Sequence, residues 1–415
     1  MKKIYFLVDE FPRLGGAEVV TDRLAQELAT QGVDVTVVCK TFGAQKNRKR
    51  AYAVRCWSPL NYAQKRSALQ GIPTFLKPLG ASLIILRKLK KLAGAVNITE
   101  KILSRKIASS WSEDDIVVST RGDILDEFLS QSHLLDGKHK LPLIVNQFHT
   151  SLDPLGEYGA FIEESYKNRD VISGLTVLSQ RCQESFIGDW GLPTLVLPNP
   201  NPPSNENVLR DFSKTVVVAA RLVESKQVDV SIKAFKKFTA YSEFSDWNMK
   251  IYGAGVEESN LKSYVHELGL DKRVSFMGVT APGRMFSQAG LHLMTSRFEG
   301  RPLAIQEAGC YGVPTVAFDV SGGVHELVTS LCGGLAEPGN LEALVELMKV
   351  NARLASQQEH AQRILSQSHE YSVEKVATRL VSWLNELKAT KVSSGGCSAK
   401  KSRTDPPPSG ERERI

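Results

Sequence analysis

The sequence has no long apolar run, no closely spaced cysteines and no cluster of metal-binding side chains. No apolar run reaches the roughly 18 residues that a membrane-spanning helix needs. The apolar start of "MKKIYFLVDE" stops at Asp9, which is too early for a secretory signal. The six cysteines are scattered, which favours free thiols in a reducing compartment. These absences predict a cytoplasmic protein that needs no metal and no cofactor.

The usual devices for holding a phosphate with a metal or a Walker loop are also missing, since the chain has no Asp-x-Asp and no P-loop. Charge of one sign is in small excess: 52 Lys and Arg against 45 Asp and Glu give +7. That balance suits an anionic neighbour but is low for a nucleic-acid binder, so no nucleic-acid partner is expected. A length of 415 residues and an apolar fraction of 42% fit a soluble protein of two domains.

The apolar residues form short β-branched runs that alternate with helical stretches. Such runs are typical of strands buried on both faces of a parallel sheet, and the repeated order strand, helix, strand predicts an α/β fold. At least ten occur, too many for one sheet: "KIYFLV", "VDVTVVC", "DIVVST", "LPLIVNQF", "GLTVLS", "TVVVAA", "NMKIYG", "RVSFMG", "LHLMTS" and "VPTVAF". The Pro- and Asn-rich stretch "LPTLVLPNPNPPSNENV" (192–208) therefore predicts an interdomain linker.

We expect two doubly wound parallel-sheet domains, residues 1–198 and 199–372. The amphipathic helix 373–388 should pack back on the first domain. The polar, Pro- and Ser-rich tail 389–415 should be disordered.

Residues 61–110 differ from their surroundings, because ten Lys or Arg meet a single acidic residue, Glu100. Within this region, "LIILRKLKKL" (83–92) places leucines on one helical face and basic residues on the other. The pattern suits an anionic membrane surface, with the protein peripheral on the inner face of the plasma membrane. It suits the solvated face of a packed helix equally well, and the sequence leaves both interpretations open.

Two glutamates flank the start of a predicted helix in "SRFEGRPLAIQEAGCYG" (296–312). Glu299 follows a buried strand, Pro302 suits the first helical turn, and Glu307 lies one to two turns further on. Ligands of open α/β sheets bind at this edge, where the N–H groups of residues 300–303 and the helix dipole favour anions. A diphosphate would meet these donors, and the carboxylates could accept hydrogen bonds from hydroxyl groups such as those of ribose.

Other signals of an anion site follow two more strands. Arg221 and Lys226 come after "TVVVAA", and two cations at a strand end suit a pyrophosphate. Gly15 and Gly16 follow the first strand and let the backbone approach a ligand closely. The "SGG" at 321–323 is expected to do the same after "VPTVAF".

One stretch points elsewhere. "YGAGVEE" (252–258) is a near match to a dinucleotide-binding fingerprint, but Glu258 stands at the third glycine position. An NAD-dependent dehydrogenase is therefore only a distant alternative.

Taken together, these residues resemble the retaining family-four glycosyltransferases of the GT-B fold, from "KIYFLVDEFPRLGGAE" to about residue 387. The resemblance implies two Rossmann-like domains facing each other across a cleft, with the nucleotide sugar mainly on the C-terminal domain. It implies metal-independent transfer of a sugar from a nucleotide diphosphate, with a UDP-sugar favoured, and retention of the anomeric configuration. The expected acceptor is a glycan or a lipid-linked acceptor: a cell-surface polysaccharide, glycolipid or teichoic-type polymer.

The resemblance also implies roles for the residues of the second half. Glu307 would hold the ribose hydroxyls, while Arg221 and Lys226 would bind the diphosphate and stabilise it as it leaves. Two positions depart from the family pattern, because Ala220 and Gln227 stand where glycines are usual.

The remaining roles concern the sugar and the distal phosphate. Glu299 and the residues after it would face both groups, the amides of Gly15 and Gly16 would close over the phosphate, and His149 would lie near sugar and acceptor. The residues after Glu299 are Gly300, Arg301, Pro302 and Leu303.

Two alternatives share the expected layout. A nucleotide-sugar epimerase of GT-B fold would convert the donor with no acceptor present. A non-catalytic nucleotide-sugar-binding subunit would bind the donor without turnover. The complete set of Arg, Lys and Glu residues favours the transferase over the second of these.

Overall fold

A computed structural model describes residues 2–12, 15–43, 49–58, 96–132, 134, 141–149, 168–203 and 211–393. Most of the basic region, residues 59–95, and the tail residues 394–415 lie outside the described residues, so the expectations for them are not examined by the structure.

The described residues form two sheets in which neighbouring strands run parallel. The first has seven strands in the order β3-β2-β1-β4-β5-β6-β7, and the second has six in the order β10-β9-β8-β11-β12-β13. The bounds are β1 Ile4–Phe11, β2 Val35–Phe42, β3 Ala53–Cys56, β4 Ile116–Ser119, β5 Leu143–Gln147, β6 Gly174–Val177, β7 Thr194–Val196, β8 Thr215–Ala219, β9 Asn248–Tyr252, β10 Val274–Gly278, β11 Leu291–Met294, β12 Thr315–Phe318 and β13 Gly334–Ala336.

Helices connect the strands in both halves, as right-handed crossovers between parallel strands require. Their bounds are α1 Gly16–Thr30, α2 96–108, α3 Gly122–Ser132, α4 Gln180–Trp190, α5 Val228–Phe238, α6 Glu258–Glu267, α7 Pro282–Phe286, α8 Leu303–Gly309, α9 Gly322–Ser330, α10 Leu341–Ala355, α11 Gln358–Ser368 and α12 Val373–Ser393. None of those in the described ranges is both long and apolar enough to cross a membrane.

The strands have apolar residues on both faces because helices cover both faces of each sheet. In β1, Ile4 and Phe6 lie in one apolar core, whereas Tyr5 and Leu7 lie in the core on the opposite face. Central strands such as β4, β5, β11 and β12 are buried along their whole length. The prediction of two doubly wound parallel-sheet units is confirmed.

The last helix, α12, lies against the first sheet rather than the second. Val376, Ala377, Leu380 and Leu384 are buried in the same apolar core as β1 and α1. At the far end of α12, the Nζ of Lys388 lies 2.7 Å from a carboxylate oxygen of Asp114, just before β4. The domain limits expected at residues 198, 372 and 388 stay predictions.

Candidate active site

The predicted site residues follow the carboxyl ends of four strands. Gly16 comes after β1, His149 after β5, Arg221 after β8 and Glu299 after β11. In open parallel sheets this edge holds the ligand, because the connections after two neighbouring strands lead to opposite faces of the sheet and leave a crevice between them.

The loops after β8 and β11 are joined by an ion pair between two predicted residues. Lys226 Nζ donates to Glu299 Oε1 at 2.7 Å, and Ser296 Oγ donates to the same oxygen at 2.8 Å. The Lys226 and Glu299 side chains are 14% and 16% exposed, so the pair is accessible but largely shielded from bulk water. The structure therefore places an ammonium and a carboxylate together at this edge of the second sheet.

Arg221 is a second cation in the loop after β8, which also carries Lys226. Its side chain is exposed, and within the described residues it makes no ion pair. Because Glu299 offsets the charge of Lys226, Arg221 is the cation at this loop with the most freedom to bind an anion.

Gln227 explains why glycine is usual at its position in the family that the sequence resembles. Its backbone is left-handed, with φ 46° and ψ 45°, a region that costs a side-chain-bearing residue about 1 kcal/mol or more. The conformation is held by contacts on both sides: its N–H donates to the Glu224 carbonyl at 3.0 Å, and its own carbonyl accepts from Thr295 Oγ1 at 2.7 Å. The loop thus keeps its shape without the glycine.

Helix α8 begins directly after Pro302, close to the predicted start, and Gly312 beyond its end has φ +65°. Glu307, in the second turn of α8, is 9% exposed and contacts a residue of the first half. Its Oε1 accepts from Arg23 Nη2 at 2.7 Å, and Arg23 Nη1 donates to the Pro200 carbonyl at 2.9 Å. Burial raises the pKa of Glu307, while the Arg23 charge opposes that rise.

Arg23 is not among the residues predicted from the sequence, since an arginine in the middle of an amphipathic helix is ordinarily a solvated residue. Its spacing from Gly16 is the one signal that could have found it. Seven residues turn an α-helix by about 700°, so Gly16 and Arg23 lie within roughly 20° of the same face of α1.

The predicted glycine loops have different local surroundings. A Cβ added at Gly16 would meet no atom within 4 Å, whereas one at Gly15 would lie 2.0 Å from the Glu18 carboxylate, so the open space at the start of α1 lies beside Gly16. A Cβ at Gly323 would lie 2.1 Å from the Gly300 carbonyl oxygen, and Ser321 Oγ donates to that same oxygen at 3.1 Å. The "SGG" segment therefore packs against the loop after Glu299, and its glycine admits a neighbouring backbone rather than a ligand.

The fingerprint-like "YGAG" also has a packing role. A Cβ at Gly253 would lie 1.8 Å from the Ala220 carbonyl oxygen, and one at Gly255 would lie 2.0 Å from that of Leu222. The two loops exchange backbone hydrogen bonds in this region. These glycines are needed for contact between the loops after β8 and β9, which accounts for the incomplete match to a dinucleotide-binding motif.

His149 lies just beyond β5, with both ring nitrogens buried and without a hydrogen bond of good geometry within the described residues. Burial lowers its pKa to about 4, and the nearby Asn199 side chain offsets only part of that effect. The imidazole is therefore neutral at pH 7 and offers one donor and one acceptor rather than a charge.

Arg301 has a different environment from its predicted neighbours. Its side chain is 6% exposed, and Nη1 donates to the Leu178 carbonyl of the first half at 3.2 Å. Glu326 lies 3.4 Å from Nη1, and the guanidinium lies 4.8 Å from the centre of the Tyr371 ring. These contacts occupy the side chain, so donor binding by Arg301 stays a prediction.

The linker is also tied to the helix that carries Glu307. Asn199 Nδ2 donates to the Arg301 carbonyl at 2.7 Å, and Gln306 Nε2 donates to the Asn199 carbonyl at 2.6 Å. Asn201 Nδ2 donates to the Ser368 carbonyl at 2.8 Å. The sequence indicated a linker here but gave no sign that its asparagines are buried.

No group of three or more His, Cys, Asp or Glu side chains that could hold a metal occurs in the part of the chain that the structure describes. The expectation that an anionic ligand meets Arg221, Lys226 and the N-termini of α1 and α8 stays a prediction. The expectation that hydroxyl groups of the same ligand meet Glu299 and Glu307 stays one as well.

Residues 204–368 match the model of the family described as glycosyl transferases group 1. Over 385 residues the chain is 26% identical to an uncharacterized glycosyltransferase of Haemophilus influenzae, covering 91% of this chain and 98% of that protein. It is 22% identical over 280 residues to the poly(ribitol-phosphate) alpha-N-acetylglucosaminyltransferase of Staphylococcus aureus, with 66% of this chain and 55% of that protein covered.

Among solved structures, a mutant of S. aureus TarM in complex with fondaparinux, alpha-GlcNAc-glycerol and UDP superposes with a TM-score of 0.68 at 14% identity. The match covers 93% of this chain and all of that one. At this identity the likeness shows the fold alone, which is the GT-B arrangement of two parallel-sheet domains.

Proposed function

We propose that this chain of GT-B fold is a group 1 glycosyltransferase and that it moves a sugar from a UDP-sugar to a hydroxyl group of a cell-surface polysaccharide, glycolipid or teichoic-type polymer. The observation that carries the proposal is the pair of carboxylates at the two ends of segment 299–307. One is paired with Lys226 and the other with Arg23, in a loop and helix that follow β11. The UDP in the TarM complex supports the donor class. The poly(ribitol-phosphate) acceptor named for the S. aureus relative supports the acceptor class.

The proposed chemistry assigns charge stabilisation to this chain's own residues. As the bond between the sugar's anomeric carbon and the diphosphate oxygen breaks, Arg221, Lys226 and the N–H groups at the starts of α1 and α8 would stabilise the leaving diphosphate. This set of donors is the basis for proposing that the transfer is metal-independent.

The acceptor oxygen forms the new bond to the anomeric carbon, and its proton passes to an oxygen of the leaving phosphate. Attack from the face that the phosphate leaves would retain the configuration. No protein nucleophile is assigned, and neutral His149 and Glu299 would position the sugar.

A second part of the proposal concerns the acceptor side of the molecule. On α2, Ile98 and Ile102 are 62% and 58% exposed, one helical turn apart, and Lys101 lies between them. Apolar and basic side chains on one short helix suit an anionic bilayer. We expect the protein to sediment with vesicles that contain anionic lipid at low salt and to lose this binding when Ile98 and Ile102 are replaced by serine. No sedimentation of the wild type would contradict the membrane part alone.

The donor site is tested by thermal unfolding with UDP, GDP, ADP and NAD. A ligand at a hundred-fold excess over its Kd stabilises the folded state by about 2.7 kcal/mol. Wild type should be stabilised by one nucleoside diphosphate, and Glu307→Ala should lose most of that stabilisation. Glu337→Ala, at an exposed glutamate of the same half, is the control and should behave as wild type. Stabilisation by NAD alone, or by none of the four, would overturn the proposal.

Turnover then separates the transferase from its alternatives. With the donor identified, a transferase releases UDP only when an acceptor is present, and NMR of the product reports the configuration at the anomeric carbon. An epimerase would change the donor sugar in the absence of any acceptor, and a binding subunit would do neither.

A further inference from the structure

Arg23, a residue of the first half, holds the predicted donor-binding side chain of Glu307 in the second half at hydrogen-bonding distance. The contact is well defined, since Nη2 lies 2.7 Å from Glu307 Oε1 and Nη1 is fixed by the Pro200 carbonyl. Both side chains are close to nine-tenths buried, at 11% and 12% exposure. An ion pair in such a place is expensive to form unless both partners are held by further contacts.

Only one oxygen of the Glu307 carboxylate accepts a hydrogen bond within the described residues. Oε1 accepts from Arg23, whereas Oε2 makes no hydrogen bond within the described residues. Oε2 is not among the fully buried polar atoms, so it keeps some access to solvent. A charged carboxylate with one oxygen fixed and the other accessible can accept hydrogen bonds from a ligand without first changing its own orientation.

The position of Arg23 on α1 links this carboxylate to the expected phosphate site. Gly16 and Arg23 share a face of α1, and seven residues separate them by about 10 Å along the helix. Gly16 stands at the helix start with open space beside it. One helix of the first domain thus reaches both the expected diphosphate and the expected ribose of a nucleotide.

We propose that Arg23 is a positioning residue of the donor site, which acts across the domain boundary by holding the Glu307 carboxylate oriented toward the ribose hydroxyls. The proposal rests on the proposed function, because it needs a nucleoside diphosphate in this site. It adds that the ribose site is complete only when the first domain is in place. Recognition of the ribose is then coupled to the relative position of the two domains.

The test compares UDP with 2′-deoxy-UDP by isothermal titration calorimetry. Wild type should bind UDP more tightly than the deoxy compound by about tenfold, the scale of a lost hydrogen bond to a charged group. In Arg23→Gln this preference should fall to about twofold or less, as it should in Glu307→Gln. The double variant should be no weaker than Glu307→Gln alone. Arg23→Lys, which keeps the charge, should recover part of the preference.

Arg50→Gln is the matched control, since Arg50 pairs with Asp22 of the same helix, with its Nε 3.2 Å from that carboxylate. It should keep the wild-type preference for UDP. A loosened α1 would weaken UDP and the deoxy compound by the same factor and leave their ratio unchanged, and that result in Arg23→Gln would overturn the inference. So would a wild type that binds both compounds equally. If wild type binds no nucleoside diphosphate, the proposed function fails first, and the inference fails with it.

Discussion

Replacing Glu299 by glutamine should tighten the binding of UDP while it slows transfer. Lys226 Nζ lies 2.7 Å from Glu299 Oε1, so a diphosphate that needs Lys226 must compete with this carboxylate. A hydrogen bond to a charged group contributes about 1.5–3 kcal/mol, and the partial exposure of this pair favours the lower end. Release of Lys226 should therefore lower the Kd for UDP by about tenfold.

Turnover should change in the opposite direction, because Glu299 is expected to position the sugar, which UDP lacks. A fall in both Kd and kcat would mean that the carboxylate opposes ground-state binding and acts in the transition state. The measurement is calorimetry with UDP at low salt, followed by initial rates with the UDP-sugar. Glu224→Gln is the control. Glu224 lies in the loop that carries Lys226 and its side chain is 84% exposed, so this substitution should change neither the Kd for UDP nor kcat. Weaker UDP binding by Glu299→Gln would refute the reasoning.

Three further predictions concern single contacts. Gly16→Ala should leave the free energy of unfolding unchanged or slightly raised, since no atom lies within 4 Å of the new Cβ. It should nevertheless weaken UDP binding in calorimetry, and equal affinity would contradict the phosphate role. Arg301→Ala should lower the free energy of unfolding by roughly 2–4 kcal/mol in urea because it removes a buried cation. Arg297→Ala, in a half-exposed pair at 3.6 Å, should cost less than about 1 kcal/mol, and equal losses would contradict the argument. Burial lowers the pKa of His292 to about 3, so the unfolded state takes up a proton that the folded state excludes, and stability falls as pH drops below about 6.5. In urea unfolding, the fall in the free energy of unfolding between pH 7 and pH 5 should be smaller by about 2 kcal/mol in His292→Gln than in wild type. An equal fall in both proteins would contradict this assignment.

The fold could be predicted from the sequence because its strands are buried on both faces. A run such as "TVVVAA" has no polar alternation, and Val216 and Val217 indeed lie in different cores on opposite faces of β8. The start of α8 next to Pro302 could also be predicted, since it depends on local backbone chemistry.

The contacts across the domain boundary could not be predicted in this way. Whether Arg23 meets Glu307, and whether Arg301 meets Leu178, depends on how two separate sheets are oriented, and no periodicity in the sequence records that. The glycines of "YGAG" gave only a weak signal for a dinucleotide, for a related reason. A glycine needed beside a neighbouring carbonyl has the same letter as one needed beside a phosphate.

The packing of α12 has a consequence for how the protein is made. Leu380 and Leu384, near the end of the described chain, complete the apolar core around β1, which is synthesised first. During translation the first sheet must wait for nearly the whole second domain before that side of its core is covered. A fragment that stops near residue 198 would expose this apolar face to water, so the first half should not be expected to fold by itself, although it contains all seven strands of its sheet.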